Sequence, residues 1–202
     1  MPGSSTRRIL TSDIQATPWK NGGGVTREIA SGGGTGSRPG PSWGWRVSLA
    51  EVAQDGPFST FPETDRVIAV IDGAGMDLVA ADGAVIALEP FQAVPFSGED
   101  RLSGRLRCGP VRDLNVMVLR RHFAAEMEIW RGPRGATLDT GAGGCLLVHS
   151  LAGRCAARVD GGEPHDLVPG ETLVHEGQGG LEVSIAEDSR AAVIQIRRRQ
   201  AR

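Results

Sequence analysis

The sequence predicts an all-β protein made of two related barrels or jelly rolls. Three observations predict it. Glycine supplies 29 and proline 12 of the 202 residues, and glycine at twice the usual ~7% breaks the chain too often for a bundle of long helices. Between the breaks, apolar and polar residues alternate over short runs, the period of a strand with one face buried. The turn pattern of the first half also returns in the second: the spacing from Gly75 to Asp82-Gly83 recurs from Gly153 to Asp160-Gly161.

Strands are expected at Val25–Ala30, Trp45–Ala50, Arg66–Ile71, Met76–Ala80, Ala84–Leu88, Leu102–Arg107 and Asp113–Arg120. A second set follows at Met127–Trp130, Cys145–Leu151, Cys155–Val159, Thr172–His175, Leu181–Ile185 and Ala191–Arg197. Asp-Gly pairs are strong signals for tight hairpins. Gly32–Ser42 reads as loop, and the Gly-rich Gly132–Gly144 reads as a separator of the two sets. Each copy runs strand, Gly turn, strand, Asp-Gly turn, strand, Pro, strand, and the second adds Pro169-Gly170-Glu171. That order resembles a cupin half-barrel, so two copies imply a bicupin. The expected division is residues 1–121, holding the ligand pocket, and 122–202, mainly structural.

Composition excludes several functions. The 22 Lys and Arg residues nearly balance the 24 Asp and Glu, for a net charge of −2, which argues against a protein built to grip nucleic acid or anionic membrane. No apolar run reaches the length of a membrane span, and the first ten residues lack the apolar core of a signal peptide. Three cysteines, Cys108, Cys145 and Cys155, form an odd set without a C-x-x-C pair, as expected of a reduced cytoplasmic protein.

Candidate binding residues concentrate in the first 120 positions. Trp19-Lys20-Asn21-Gly22-Gly23-Gly24 joins an aromatic ring, the single lysine of an Arg-biased chain and a backbone free to adopt positive φ beside a ligand. A hairpin with an exposed lysine explains the same residues. Three strands then carry polar residues in alternation: Thr26 with Glu28, Arg46 with Ser48, and Asp113 with Asn115 and Met117. On a half-exposed sheet such a face meets solvent; inside a barrel it lines the lumen and must pair with itself or a ligand. The rigid aromatic turn with Phe58 and Ser59, followed by Arg66, would add an apolar wall beside converging polar groups.

The strings PWKNGGGVTREIA (Pro18–Ala30), WRVSLAEV (Trp45–Val52), DGPFSTFPETDR (Asp55–Arg66) and DLNVMV (Asp113–Val118) resemble the HutD/Ves family. The resemblance covers roughly residues 7–200 and is specific in these four strings. It implies a bicupin fold, a bacterial cytoplasmic protein, and a link to histidine utilisation, where sensing or binding of an intermediate such as formylglutamate has been proposed. The Gly32–Ser42 segment interrupts the family pattern between the first two strings.

No cofactor is expected. Metal-binding cupins use an H-x-H pair with Glu and a further His. The four histidines here, His122, His149, His165 and His175, form no such pair, and the first copy reads Asp72-Gly73-Ala74-Gly75-Met76-Asp77 at that place. No G-x-S-x-G elbow is present either. The sequence therefore points to a metal-free pocket for a small anionic metabolite, with Lys20, Arg46 and Arg66 engaging carboxylates. Asn21, Ser48 and Asn115 would supply neutral polarity, and Asp113 and Glu28 would orient the cations or bind a ligand nitrogen. The alternative is a metal-independent isomerase or hydrolase using Glu28 or Asp113 as general base. A homodimer is left open.

Overall fold

The structure, a computed structural model, describes residues 4–34 and 41–199. It is built from strands, with one 3-10 turn at Thr11–Asp13. The first strands are β1 (Ser5–Leu10), β2 (Thr17–Pro18), β3 (Gly24–Gly32), β4 (Trp45–Val52), β5 (Gly56–Pro57), β6 (Thr64–Asp72), β7 (Met76–Ala80), β8 (Val85–Leu88), β9 (Ala93–Ser97), β10 (Leu102–Leu106) and β11 (Val111–Leu119). They are followed by β12 (Phe123–Arg131), β13 (Arg134–Asp139), β14 (Cys145–Ala152), β15 (Cys155–Val159), β16 (Pro164–Leu167), β17 (Glu171–Glu176), β18 (Gly180–Ile185) and β19 (Arg190–Arg198).

The chain divides into two units, Gln15–Arg121 and Met1–Ile14 together with His122–Arg202. In the first unit a six-stranded sheet runs β2-β3-β4-β11-β6-β9 and a four-stranded sheet runs β5-β10-β7-β8. In the second the orders are β1-β17-β14-β19-β12 and β13-β18-β15-β16. Set side by side, β4-β11-β6-β9 has the same connectivity as β12-β19-β14-β17, and β5-β10-β7-β8 the same as β13-β18-β15-β16. The repeated turn pattern is thus a repeated topology. The units differ in their extra strands. The first adds β2 and β3 beside β4; the second adds β1 beside β17, in antiparallel register from Ser5 opposite Glu176 to Leu10 opposite Glu171. The N-terminal strand therefore belongs with the later half of the chain, although it precedes residue 121.

The strands form where the alternation predicts, with ends shifted by at most two residues except at Met127–Trp130, whose strand begins at Phe123. Gly132–Gly144 is not simply a separator: Arg134–Asp139 inside it is a full strand, paired with β18. Its sequence, RGATLD, has an exposed-intermediate alternation too weakly apolar to announce itself. Of the Gly32–Ser42 loop, residues 35–40 lie outside the described residues, and Gly32 closes β3. The Asp160-Gly161 hairpin turn has positive φ at both residues, 47° and 72°, the geometry for which Asp-Gly is selected.

The two units fill their interiors differently. In the second, Trp130, Leu146, Val148, Cys155, Leu167, Leu173, Leu181, Val183 and Val193 are buried in one apolar cluster between the sheets. In the first, apolar packing of Val52, Ile68, Val70 and Val111 against Met76, Leu78, Leu88 and Leu102 is confined to one region of the inner face. Val148 is fully buried, so Val148→Ala should lower stability in urea denaturation by roughly 1–3 kcal/mol, through lost contact and the cavity left behind.

Candidate functional site

Strand register brings the polar residues of the first unit onto one face. Thr26 lies opposite Ala50, Ala50 opposite Asp113 and Asp113 opposite Val70; Glu28 opposite Ser48, Ser48 opposite Asn115 and Asn115 opposite Ile68. A third row runs Ser31, Arg46, Met117, Arg66 and Phe96. Directly opposed residues share a face, and this face carries the Val52, Ile68, Val70 and Val111 side chains that pack on the smaller sheet. The polar rows therefore line the lumen. Exposure falls steadily inward: Glu28 is exposed, Arg46 partly buried, and Ser48, Arg66, Asp113, Asn115 and Met117 buried.

Arg66 is the centre of this arrangement. Its guanidinium lies over three aromatic rings, 4.6 Å from the Phe96 centroid and 5.5 Å from those of Phe58 and Phe61. Nη1 donates to the Ser59 carbonyl oxygen at 3.3 Å. The rings hold the cation by their quadrupoles and keep water away from it. Burial lowers its pKa to about 10, with the Asp113 charge opposing the shift and Arg46 adding to it, so Arg66 is still a cation at neutral pH.

Asp113 is 1% exposed and has no salt bridge among the described residues. Burial pushes its carboxyl up to about 7, against the pull of Arg66. Four polar atoms in this lumen are buried without a hydrogen-bond partner: Arg46 Nε, Arg66 Nε, Asp113 Oδ1 and Asn115 Oδ1. Arg46 Nε is 2.9 Å from Glu28 Oε2, an ion pair without hydrogen-bond alignment. Each buried, unmade hydrogen bond costs about 1–3 kcal/mol. Four in one lumen, two donors and two acceptors, are the complement of a molecule carrying both an acceptor and a donor.

The other candidates fall at the edge. Trp19 donates from Nε1 to Thr26 Oγ1 at 2.7 Å and packs on the apolar cluster. Its ring lies close to Gly24, where a Cβ would come within 2.2 Å of the Glu51 carbonyl oxygen, so only glycine fits. The Gly22 N–H donates to the Trp19 carbonyl and the Gly23 N–H to Asn21 Oδ1; the turn closes on itself instead of presenting these groups to a ligand. Lys20 is exposed and has no ion pair among the described residues. Sequence reasoning left Phe61 and Phe96 out of the site. Phe61 stands in the quoted aromatic turn, and Phe96 became a neighbour of Arg66 only through the pairing of β9 with β6.

The second unit offers less. Among the described residues no group of three or more His, Cys, Asp and Glu is placed to hold a metal. His175 pairs opposite Leu146, while His149 pairs opposite Thr172. Three positions separate Leu146 from His149, so the two imidazoles project from opposite faces and do not converge. Cys145 is pushed up by burial, and Cys155 up to about 11, so neither is a thiolate at neutral pH. Two surface cavities, of about 390 and 530 Å³, lie against Gly135–Thr137 with Ala156–Arg158, and around Asp139 with Gly179. Neither is lined by any of the four unpaired lumen atoms. No described helix is long and apolar enough to cross a membrane.

Fold and site together define a cupin-type protein whose first unit has a charged interior. A cupin barrel protein from Leptotrichia buccalis has the same fold, with a TM-score of 0.57 over 96% of each chain at 15% identity. The family model HutD matches residues 11–193, and the chain belongs to the HutD family, which is linked to histidine utilisation. HutD from Pseudomonas fluorescens SBW25, solved in a formate condition, superposes with a TM-score of 0.81 at 32% identity, covering 97% of this chain and all of that one. A conserved protein of unknown function from Pseudomonas aeruginosa gives 0.84 at 28% identity over the same spans. An uncharacterized 21.2 kDa protein in the hutC 3' region of Pseudomonas putida is 36% identical over 129 residues, 64% of this chain and just under two thirds, 66%, of that protein. Protein Ves of Cronobacter sakazakii is 31% identical over 144 residues.

The Asp113 carboxyl generates a prediction. Its folded pKa is above its ordinary 3.8, so the folded chain holds an extra proton between that value and about 7. Its contribution to stability is complete below the ordinary value and is lost as pH rises through about 7. Melting curves should therefore show Asp113→Asn more stable than the wild type by several degrees at mildly alkaline pH, with the difference vanishing in acid.

Proposed function

We propose that this chain is a non-catalytic small-molecule-binding protein of amino-acid catabolism, acting in histidine breakdown by sensing or limiting flux, and that the lumen of its first unit holds an anionic metabolite such as formylglutamate. The observation that carries the reading is the set of four buried atoms without a hydrogen bond, of which Arg46 Nε has only its ion pair with Glu28. Arg46 Nε and Arg66 Nε are donors seeking an acceptor, which a carboxylate supplies with charge-assisted hydrogen bonds. Asp113 Oδ1 and Asn115 Oδ1 accept from a donor, which an N–H supplies. An N-acyl amino acid carries both groups in one small molecule. The ligand reaches them by displacing the Arg46–Glu28 ion pair at the solvent end of the row. Family membership supports the pathway, and the presence of Arg46 and Arg66 in the first interior supports the choice of unit.

One observation favours a second reading. A general base works best with a pKa near the operating pH, and Asp113, near 7, has that property. Of the two carboxylates considered from sequence, Glu28 is exposed and occupied by Arg46 and Ser31. A hydrolase or isomerase would therefore act through Asp113. Recovery of formylglutamate unchanged after prolonged incubation with stoichiometric protein supports the binding role; its conversion, lost in Asp113→Asn, would establish the enzyme.

Calorimetric titration with formylglutamate, glutamate, glutamine and urocanate tests the binding role. The acids, and formylglutamate above all, should bind more tightly than glutamine. Arg46→Ala should abolish binding, because the ligand carboxylate loses a charged hydrogen-bond donor, while the ligand-free protein, whose Glu28 is exposed, melts within a few degrees of the wild type. Equal binding of glutamine and formylglutamate, or no binding of any acid, would refute the assignment.

A further inference from the structure

We propose that the lumen of the first unit takes up a carboxylate together with one proton, and that Asp113 is the group that receives the proton. The inference rests on reading this lumen as an anion site.

Asp113 is buried, has no salt bridge among the described residues, and leaves Oδ1 without a hydrogen bond. The charged groups that face it can be taken strand by strand. β3 offers Glu28, β4 Arg46 and β6 Arg66. From β9 come Val94 and Phe96, and from the smaller sheet Met76, Leu78, Leu88 and Leu102, none of them charged. Asp55, beside β5, is exposed and accepts from the Leu106 N–H.

Glu28 stands at the exposed end and is displaced by the ligand, so the charges that meet the ligand inside are Arg46, Arg66 and Asp113. With Asp113 ionised, an entering carboxylate would lie beside a buried like charge. In this low-dielectric setting two neighbouring carboxylates do not both remain ionised. With Asp113 protonated, that like charge is gone and both arginines face the ligand unopposed. The new O–H bond on Asp113 takes its proton from solvent and converts the residue from a competitor of the ligand into a hydrogen-bond donor toward it. Burial already brings the Asp113 carboxyl to about 7, so in the free protein the proton is present below neutrality and must be acquired above it. Anion capture would therefore weaken as the surroundings become alkaline.

The test is calorimetric titration of the full chain with N-formylglutamate, at pH about 6 and about 8.5, each in two buffers of different ionisation enthalpy. Proton uptake should approach one per ligand at the higher pH, and affinity should fall by about tenfold per pH unit above 7. In Asp113→Asn the uptake should vanish and affinity should become level with pH. Binding by the wild type without proton uptake, or an unchanged pH profile in Asp113→Asn, would overturn the proton linkage while leaving the anion reading intact. Failure of formylglutamate to bind at either pH would overturn the anion reading itself, and this inference with it. Should Asp113→Asn not fold, infrared difference spectra of the wild type decide. Ligand added at the higher pH must produce a protonated-carboxyl band, and its absence would overturn the proposal.

Discussion

The burial of Arg66 without a matching partner is the constraint on which the rest of the first unit depends. A guanidinium among three phenyl rings cannot lose its charge at neutral pH, and its Nε has no acceptor. The cation–π contacts recover about 2 kcal/mol or more when desolvated, but they do nothing for the unmade hydrogen bond. Around Arg66 the unit places another half-satisfied arginine, a carboxyl pushed toward neutrality and an amide oxygen with no donor. Domains are stable by only about 5–15 kcal/mol, so four unsatisfied atoms at about 1–3 kcal/mol each are a large standing cost. Each such atom calls for a partner, and on the proposed function the ligand is that partner.

The duplicated topology shows how one fold accommodates this. Both units use the same strand order in their shared sheets. The second closes its interior with Trp130, Leu146, Leu173, Leu181 and other apolar side chains, and its cysteines are buried and inert. The first concentrates its apolar packing at Ile68, Met76, Leu78 and Leu88 and leaves the adjoining rows polar. Within the first unit, the outer clamps also matter. Arg120 links Asp65, Glu99 and the Thr64 carbonyl, and Glu99 accepts from the Glu63 N–H, fixing the turn that carries Phe61 to its place over Arg66.

Much of this was legible in the amino-acid order, for physical reasons that differ from residue to residue. Alternation at period two disclosed Trp45–Ala50 and Asp113–Arg120, the greater part of β4 and β11, because each strand has two faces with different surroundings. It also showed that Arg46, Ser48, Asp113 and Asn115 share faces within their strands. It could not decide whether those faces met solvent or lumen, since both produce the same alternation; register and burial decided. β1 was invisible because its partner lies some hundred and sixty positions away and its own pattern, STRRIL, is largely exposed. β13 was hidden by its glycine and its weak apolar content. Phe96 required the pairing of β9 with β6. Glu28 and Asp113, equal as letters, differ because one lies at an exposed edge and the other at a central strand. Lys20 stood out by rarity, which composition reports, yet it is exposed, which composition does not.

The central claim is that the charged interior of the first unit is a binding site. A crystal structure grown in the presence of formylglutamate tests it most directly. The account predicts ligand density in that lumen, with a carboxylate within hydrogen-bonding distance of Arg66 Nε and an N–H directed at Asn115 Oδ1. Ligand density instead in the cavities along β13 and β18 of the second unit, with the Arg46, Arg66 and Asp113 side chains unmoved and the first lumen empty of ligand, would contradict it.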